Sequence, residues 1–89
     1  MTIVINKCWG GFALSDKARE FLHCDDDYDF YYDDELRADP RLVECIRTLD
    51  NEANGQHALL GLVEIPDDAT DWEITEYDGM ESVIYVVNG

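Results

Sequence analysis

Between Asp25 and Glu35 the chain places seven carboxylates and four aromatic rings in eleven residues, with no cation until Arg37. Like charges at this density repel one another, which favours an exposed connector over a packed element. The rings of Tyr28, Phe30, Tyr31 and Tyr32 act against a purely solvated loop, because burying or presenting an aromatic is energetically large. The stretch therefore reads as an acidic loop pinned by rings, or as a surface made to meet a cationic partner.

The rest of the charge is uneven in the same direction. Six Lys and Arg stand against 21 Asp and Glu, a net of −15. All six cations (Lys7, Lys17, Arg19, Arg37, Arg41 and Arg47) lie in the first 47 residues, and Thr48 to Gly89 holds ten acids and none. This self-repulsion works against the compact state, most strongly at low salt. Direct binding to nucleic acid or to an anionic membrane is disfavoured, since both need cations to meet phosphates. A basic protein surface is the favoured partner class, with solubility or adaptation to high salt as the plain alternative.

Eighty-nine residues make one small domain, 1–89. Cys8, Cys24 and Cys45 are odd in number and widely spaced, unlike a secreted disulfide framework. Met1 leads into a strand-like run, not a signal peptide, and no apolar run approaches the ~20 residues of a membrane span. A cytoplasmic location is expected.

Thr2 to Asn6 is β-branched and uninterrupted, as in a buried strand at a sheet centre. After the paired glycines Gly10 and Gly11, Ser15 stands as the N-cap of a short helix from Asp16 to about His23. Asp39-Pro40 starts a second helix, with Leu42, Ile46, Leu49 and Ala53 at helical spacing and Gly55 as its stop. His57 to Ile65 and Trp72 to Tyr77 read as strands, and Asp78-Gly79 is a two-residue hairpin turn into Met80–Val87. The expected fold is α+β, in the order β-α-α-β-β-β: an antiparallel-rich sheet with two helices on one face.

Known chemistries fit poorly. Asp25, Asp27, Asp29 and Asp33 match positions 1, 3, 5 and 9 of a calcium loop, but Phe30 and Leu36 stand where Gly and a bidentate Glu are needed. The cysteines and the two histidines lack the paired short spacings of a zinc site. The Lys7–Ser15 turn fits neither phosphate-loop fingerprint, although it is the place where a small molecule or nucleotide would bind. His23 and His57 sit in no nucleophile motif, so a non-enzyme without metal or cofactor is expected.

What remains is charge display. The candidate partner-binding residues are Asp25, Asp26, Asp27, Asp29, Tyr31, Tyr32, Asp33, Asp34 and Glu35. A secondary acidic patch comprises Asp67, Asp68, Asp71, Glu73 and Glu76, extended by Asp78 and Glu81. Same-face carboxylates along a strand lie about 6.6–6.8 Å apart, about twice the ~3.4 Å axial charge spacing of one DNA strand, so that each carboxylate would match every second phosphate along the axis. Such carboxylates can occupy the Lys/Arg cleft of a nucleic-acid enzyme, and the tyrosines supply the contact energy that charge alone does not. An acidic accessory domain with no dedicated site is the plain alternative.

The opening Ile3-Val4-Ile5-Asn6-Lys7-Cys8-Trp9-Gly10-Gly11-Phe12-Ala13-Leu14-Ser15 resembles that of a group of small, mostly uncharacterised phage and prophage-associated proteins. The likeness continues through Arg37-x-Asp39-Pro40-x-Leu42-Val43, Glu52-Ala53-Asn54-Gly55, Ile65-Pro66-Asp67-Asp68 and Trp72-x-Ile74-x-Glu76-Tyr77-Asp78-Gly79. Two features depart from the group: a richer acidic-aromatic stretch, and the apolar end Ile84-Tyr85-Val86-Val87 in place of a charged tail. The resemblance implies a phage-encoded acidic inhibitor of a host nucleic-acid-binding defence complex, as several anti-CRISPR and anti-restriction proteins are.

Overall fold

The structure is a computed structural model that describes residues 1–26 and 28–87. Strand β1 (Thr2–Asn6) pairs antiparallel with β2 (Leu60–Glu64), from Thr2 opposite Glu64 to Asn6 opposite Leu60. Strands β3 (Ala69–Tyr77) and β4 (Met80–Val87) form a second antiparallel pair. The α+β class and the expected order hold, with the strands divided between two small sheets.

The uninterrupted apolar run of β1 has a direct cause. Val4 faces a core of Phe12, Leu14, Ala18, Leu22, Phe30, Leu42, Cys45 and Ile46, contributed mostly by the helical side. Ile3 and Ile5 belong to a separate cluster with Ile65, Val63, Trp72, Ile74 and Val83, contributed by the hairpin side. Both faces of β1 are thus covered, so Ile3 to Ile5 are apolar on either side, and the buried polar residue that ends the strand, Asn6, is fully hydrogen-bonded. The molecule has three layers: helices, the β1–β2 pair, and the β3–β4 hairpin.

Helix α1 (Asp16–Leu22) begins where Ser15 Oγ accepts from the Ala18 amide at 3.1 Å. The main helix, Pro40–Leu49, is capped by Asp39, whose Oδ1 accepts from the Arg41 amide at 2.8 Å. It stops before Ala53, because Asp50 takes a positive φ of 52° and the chain tightens into a 3₁₀ turn over Asp50–Ala53. Ala53 is nevertheless fully buried, so its helical spacing correctly marked the core.

Strand β2 begins at Leu60, not His57. A turn precedes it, with the Ala58 amide donating to the Gly55 carbonyl at 3.1 Å and His57 at φ 63°. At the hairpin tip Asp78 and Gly79 have φ of 51° and 89°, the two positive values that a type I′ turn requires. The acidic stretch contains more regular structure than a connector: a short helix over Tyr28–Tyr32 and a 3₁₀ turn over Asp34–Ala38. We number these helices α1 (Asp16–Leu22), α2 (Tyr28–Tyr32) and α3 (Pro40–Leu49).

Candidate interaction surface

The acidic stretch is held in place by Arg37, the cation that ends it. Arg37 is 1% exposed. Its guanidinium carbon lies over the Phe12 ring, 3.8 Å from the centroid. All five of its N–H groups have an acceptor. Nε donates to the Phe30 carbonyl, Nη1 to the Val4 carbonyl at 3.2 Å, and Nη2 to the Tyr31 carbonyl at 3.5 Å. The remaining two form a fork on Glu81, Nη1 to Oε1 at 2.7 Å and Nη2 to Oε2 at 2.8 Å. One side chain therefore ties α2 to β1 and to β4.

Asn6 extends this network. It is fully buried, and its Nδ2 donates to the carbonyls of Cys8 and Gly79 at 2.6 and 2.7 Å. Its Oδ1 accepts from the Leu59 amide at 2.9 Å, and its own amide donates to Glu81 Oε1 at 2.8 Å. The hairpin tip is thus anchored to the Lys7–Ser15 turn by polar groups as well as by packing.

On this frame the tyrosines form an exposed cluster. Tyr28 and Tyr32 are one helical turn apart, with ring centroids 4.6 Å from each other, and Tyr31 meets Tyr32 edge-on at 4.9 Å. All three are exposed, while Phe30, the fourth ring of the stretch, turns inward and is buried. Asp25, Asp26, Asp29, Asp33, Asp34 and Glu35, their neighbours along the chain, are exposed, and Asp27 lies outside the described residues. Asp26 and Asp33 also act locally, accepting from the amides of Tyr28 and Glu35 at 3.1 and 3.0 Å.

The secondary patch is exposed at Asp67, Asp68, Asp71, Glu73 and Glu76. Several of these carboxylates have structural work as well: Asp71 Oδ1 accepts from the Trp72 amide at 2.9 Å and Glu76 Oε1 from the Gly79 amide at 2.6 Å. Asp67 lies 3.6 Å from the amino group of Met1. Glu81 is a correction. Counted among the displayed acids, it is instead the inward partner of Arg37, with its side chain 8% exposed.

Neither Arg37 nor Asn6 was singled out by sequence reasoning. The available signal was position: Arg37 is the only cation between Arg19 and Arg41, placed at the end of the densest run of acid.

The calcium-loop register fails in three dimensions too, because α2 runs through its middle positions. Among the described residues no three His, Cys, Asp or Glu side chains gather as a metal would need. The paired glycines have a structural cause: both take a positive φ, 115° at Gly10 and 95° at Gly11, and Gly10 is also closely packed. A Cβ on Gly10 would fall 2.6 Å from the His57 carbonyl oxygen, and one on Gly79 would fall 2.3 Å from the Gly11 nitrogen. The hairpin tip sits directly on this turn, and the Gly10 amide faces the Asp78 carbonyl at 3.4 Å.

Comparison of the chain with protein-family profiles, curated proteins and solved structures finds no match. Among the described residues no helix is long and apolar enough to cross a membrane.

Proposed function

We propose that this protein is a non-enzymatic binder that presents carboxylates and tyrosines to a basic, nucleic-acid-binding cleft. With the family resemblance, this reading becomes a phage-encoded inhibitor acting in the host cytoplasm on a defence complex, in the manner of a DNA mimic. One observation carries it: the exposed Tyr28–Tyr32–Tyr31 cluster, flanked along the chain by exposed carboxylates, on a helix whose Phe30 and Tyr31 carbonyls are held by Arg37. Exposed charge alone would give a solvated face. Rings held in one arrangement are the residue type that dominates binding energy, and their fixed frame lowers the entropy cost of association. The carboxylates add steering toward a cationic cleft.

The alternative nucleotide site in the Lys7–Ser15 turn is less well supported, because the close approach of His57 to Gly10 and the positive φ of both Gly10 and Gly11 already account for the glycines.

The test is pull-down from a host lysate depleted of nucleic acid, followed by competition with DNA for the captured protein over a salt series. The variants are Tyr31→Ala with Tyr32→Ala, and the charge-neutral set Asp25→Asn, Asp29→Asn, Asp34→Asn and Glu35→Gln, which spares the capping Asp26 and Asp33. The reading expects competition with DNA that weakens with salt and is lost in both variants. Capture indifferent to salt and to both variants would overturn it.

A further inference from the structure

A second surface lies on the hairpin, away from the Arg37 anchor. The two-residue turn makes Tyr77 and Met80 a hydrogen-bonded pair. Alternation then aims the backbone groups of Ser82, Ile84 and Val86 at β3, and those of Val83 and Tyr85 away from it. Among the described residues, no backbone hydrogen bond from outside the hairpin reaches Val83 or Tyr85. On the opposite edge the outward amide of Trp72 is capped by Asp71, and the register shift between Ala69 and Asp71 interrupts the strand.

The free edge is also unusually apolar. Ile84, Tyr85, Val86 and Val87 are consecutive and all exposed, at 52, 45, 59 and 43%. Lone edge strands are normally protected by Lys, Pro or a bulge, and the outer half of β4 has none of these. The only register shift of the hairpin lies in β3, between Ala69 and Asp71.

Charge identifies what fits there. On the outer face Val86 pairs with Asp71 and Ile84 with Glu73, so an apolar row on β4 is backed by an acidic row on β3. These pairs, with Trp72 and Tyr85 between them, line a depression of about 180 Å³. A strand added to β4 would lie two strand spacings, about 9.5 Å, from the acidic row. Lys and Arg side chains span most of that distance, their apolar stems on Ile84 and Val86 and their charged heads toward Glu73 and Asp71. A second copy of this chain would instead bring another net charge of −15 to the same edge.

We infer that the outer half of β4 is a docking edge for an extended segment of a basic partner, one alternating Lys or Arg with apolar residues, which adds as a further β-strand. Main-chain hydrogen bonds to Val83 and Tyr85 supply affinity, and the Ile84/Glu73 and Val86/Asp71 rows select the cations. This surface is independent of the tyrosine cluster.

The probe is a blocked eight-residue peptide alternating Lys with Val, with a control of the same composition whose lysines are grouped at one end. NMR amide exchange on the full chain reads whether Val83 and Tyr85 become protected, and titration reads affinity. Tyr85→Pro removes an outward N–H without touching the β3 ladder, and is expected to weaken the alternating peptide at least about tenfold. Asp71→Asn with Glu73→Gln, which leaves the edge intact, is expected to weaken it several-fold at low salt. The set Asp25→Asn, Asp29→Asn, Asp34→Asn and Glu35→Gln is expected to leave it unchanged. Equal binding of both peptides without protection at Val83 and Tyr85 would overturn the inference. So would loss of binding only in the Asp25–Glu35 set, or self-association of the free chain that Tyr85→Pro abolishes, which would make the occupant a second copy.

Discussion

Arg37 and Glu81, 44 positions apart, meet as a two-pronged ion pair at 2.7 and 2.8 Å, with side chains 1 and 8% exposed. A buried pair of this kind is not in itself a large net stabiliser, because both ions lose their hydration. Its value here is positional. The same guanidinium holds the Phe30 and Tyr31 carbonyls, so the pair transmits the location of the hairpin to the tyrosine cluster.

Removing one member leaves the other buried and unpaired, so the two losses should not add. Arg37→Met leaves the Glu81 carboxylate buried without its countercharge and three carbonyls without their donor. A loss of about 3–5 kcal/mol is expected, a large part of the stability of a small domain. Arg37→Lys should recover little, since an ammonium cannot reproduce the five-donor fork. Arg37→Met combined with Glu81→Leu should cost less than the sum of the single changes. Urea denaturation of the four variants measures this; additive losses would contradict a direct pairing.

Asn6 predicts a more local failure. Asn6→Ala strips two carbonyls and one amide of their buried partner, each worth about 1–3 kcal/mol if left unsatisfied. Gly79→Ala attacks the same junction by sterics, with a Cβ 2.3 Å from the Gly11 nitrogen at a φ of 89°. Both changes should raise amide exchange across the hairpin tip and the Lys7–Ser15 turn before they affect α3. Uniform acceleration across the chain would mean that the junction has no local role.

Local chemistry made much of this fold readable. Asp39-Pro40 and Asp78-Gly79 carry their structures in their own backbone preferences, and the β1 run announced burial on both faces. The Arg37 anchor was not readable in that way. An arginine beside seven acids reads as part of a charged surface, and a carboxylate in a cation-free half reads as one more displayed acid. Only the three-dimensional meeting of Arg37 with Glu81 removes both from the surface. The tyrosine cluster was half legible: the rings were evident, but their mutual contacts depend on α2, a helix too short and too acidic to be expected.

The cysteines should divide by burial. Cys45 is fully buried, and desolvation, followed by the nearby Cys24 thiol, pushes its pKa above the ordinary 9.0. Cys8 and Cys24 are only half-buried. A thiol reagent at pH 8 should label those two in the folded protein and reach Cys45 only as the protein opens. The raised pKa also sets a direction for stability. The folded state holds the Cys45 proton more tightly than the unfolded one, so stability is unaffected below the ordinary thiol range. It declines as pH rises through that range toward the folded pKa. Cys45→Ala should flatten that alkaline decline. Rapid labelling of all three thiols, or an alkaline decline unchanged in Cys45→Ala, would contradict it.

Salt should act in opposite directions on folding and on binding. The net charge of −15 is carried largely by exposed carboxylates, which repel one another across the surface. Screening shortens the reach of that repulsion from about 30 Å at 0.01 M to about 3 Å at 1 M salt. The compact state should therefore gain stability as salt rises. The buried Arg37–Glu81 pair is shielded from the same ions and should lose little. Attraction to a basic cleft is a surface effect across the interface and should weaken over the same range. Thermal melting and partner competition in one salt series measure both. A melting temperature that falls with salt would show that exposed ion pairs, such as Lys17–Glu52 at 3.1 Å, outweigh the repulsion of the acidic surface.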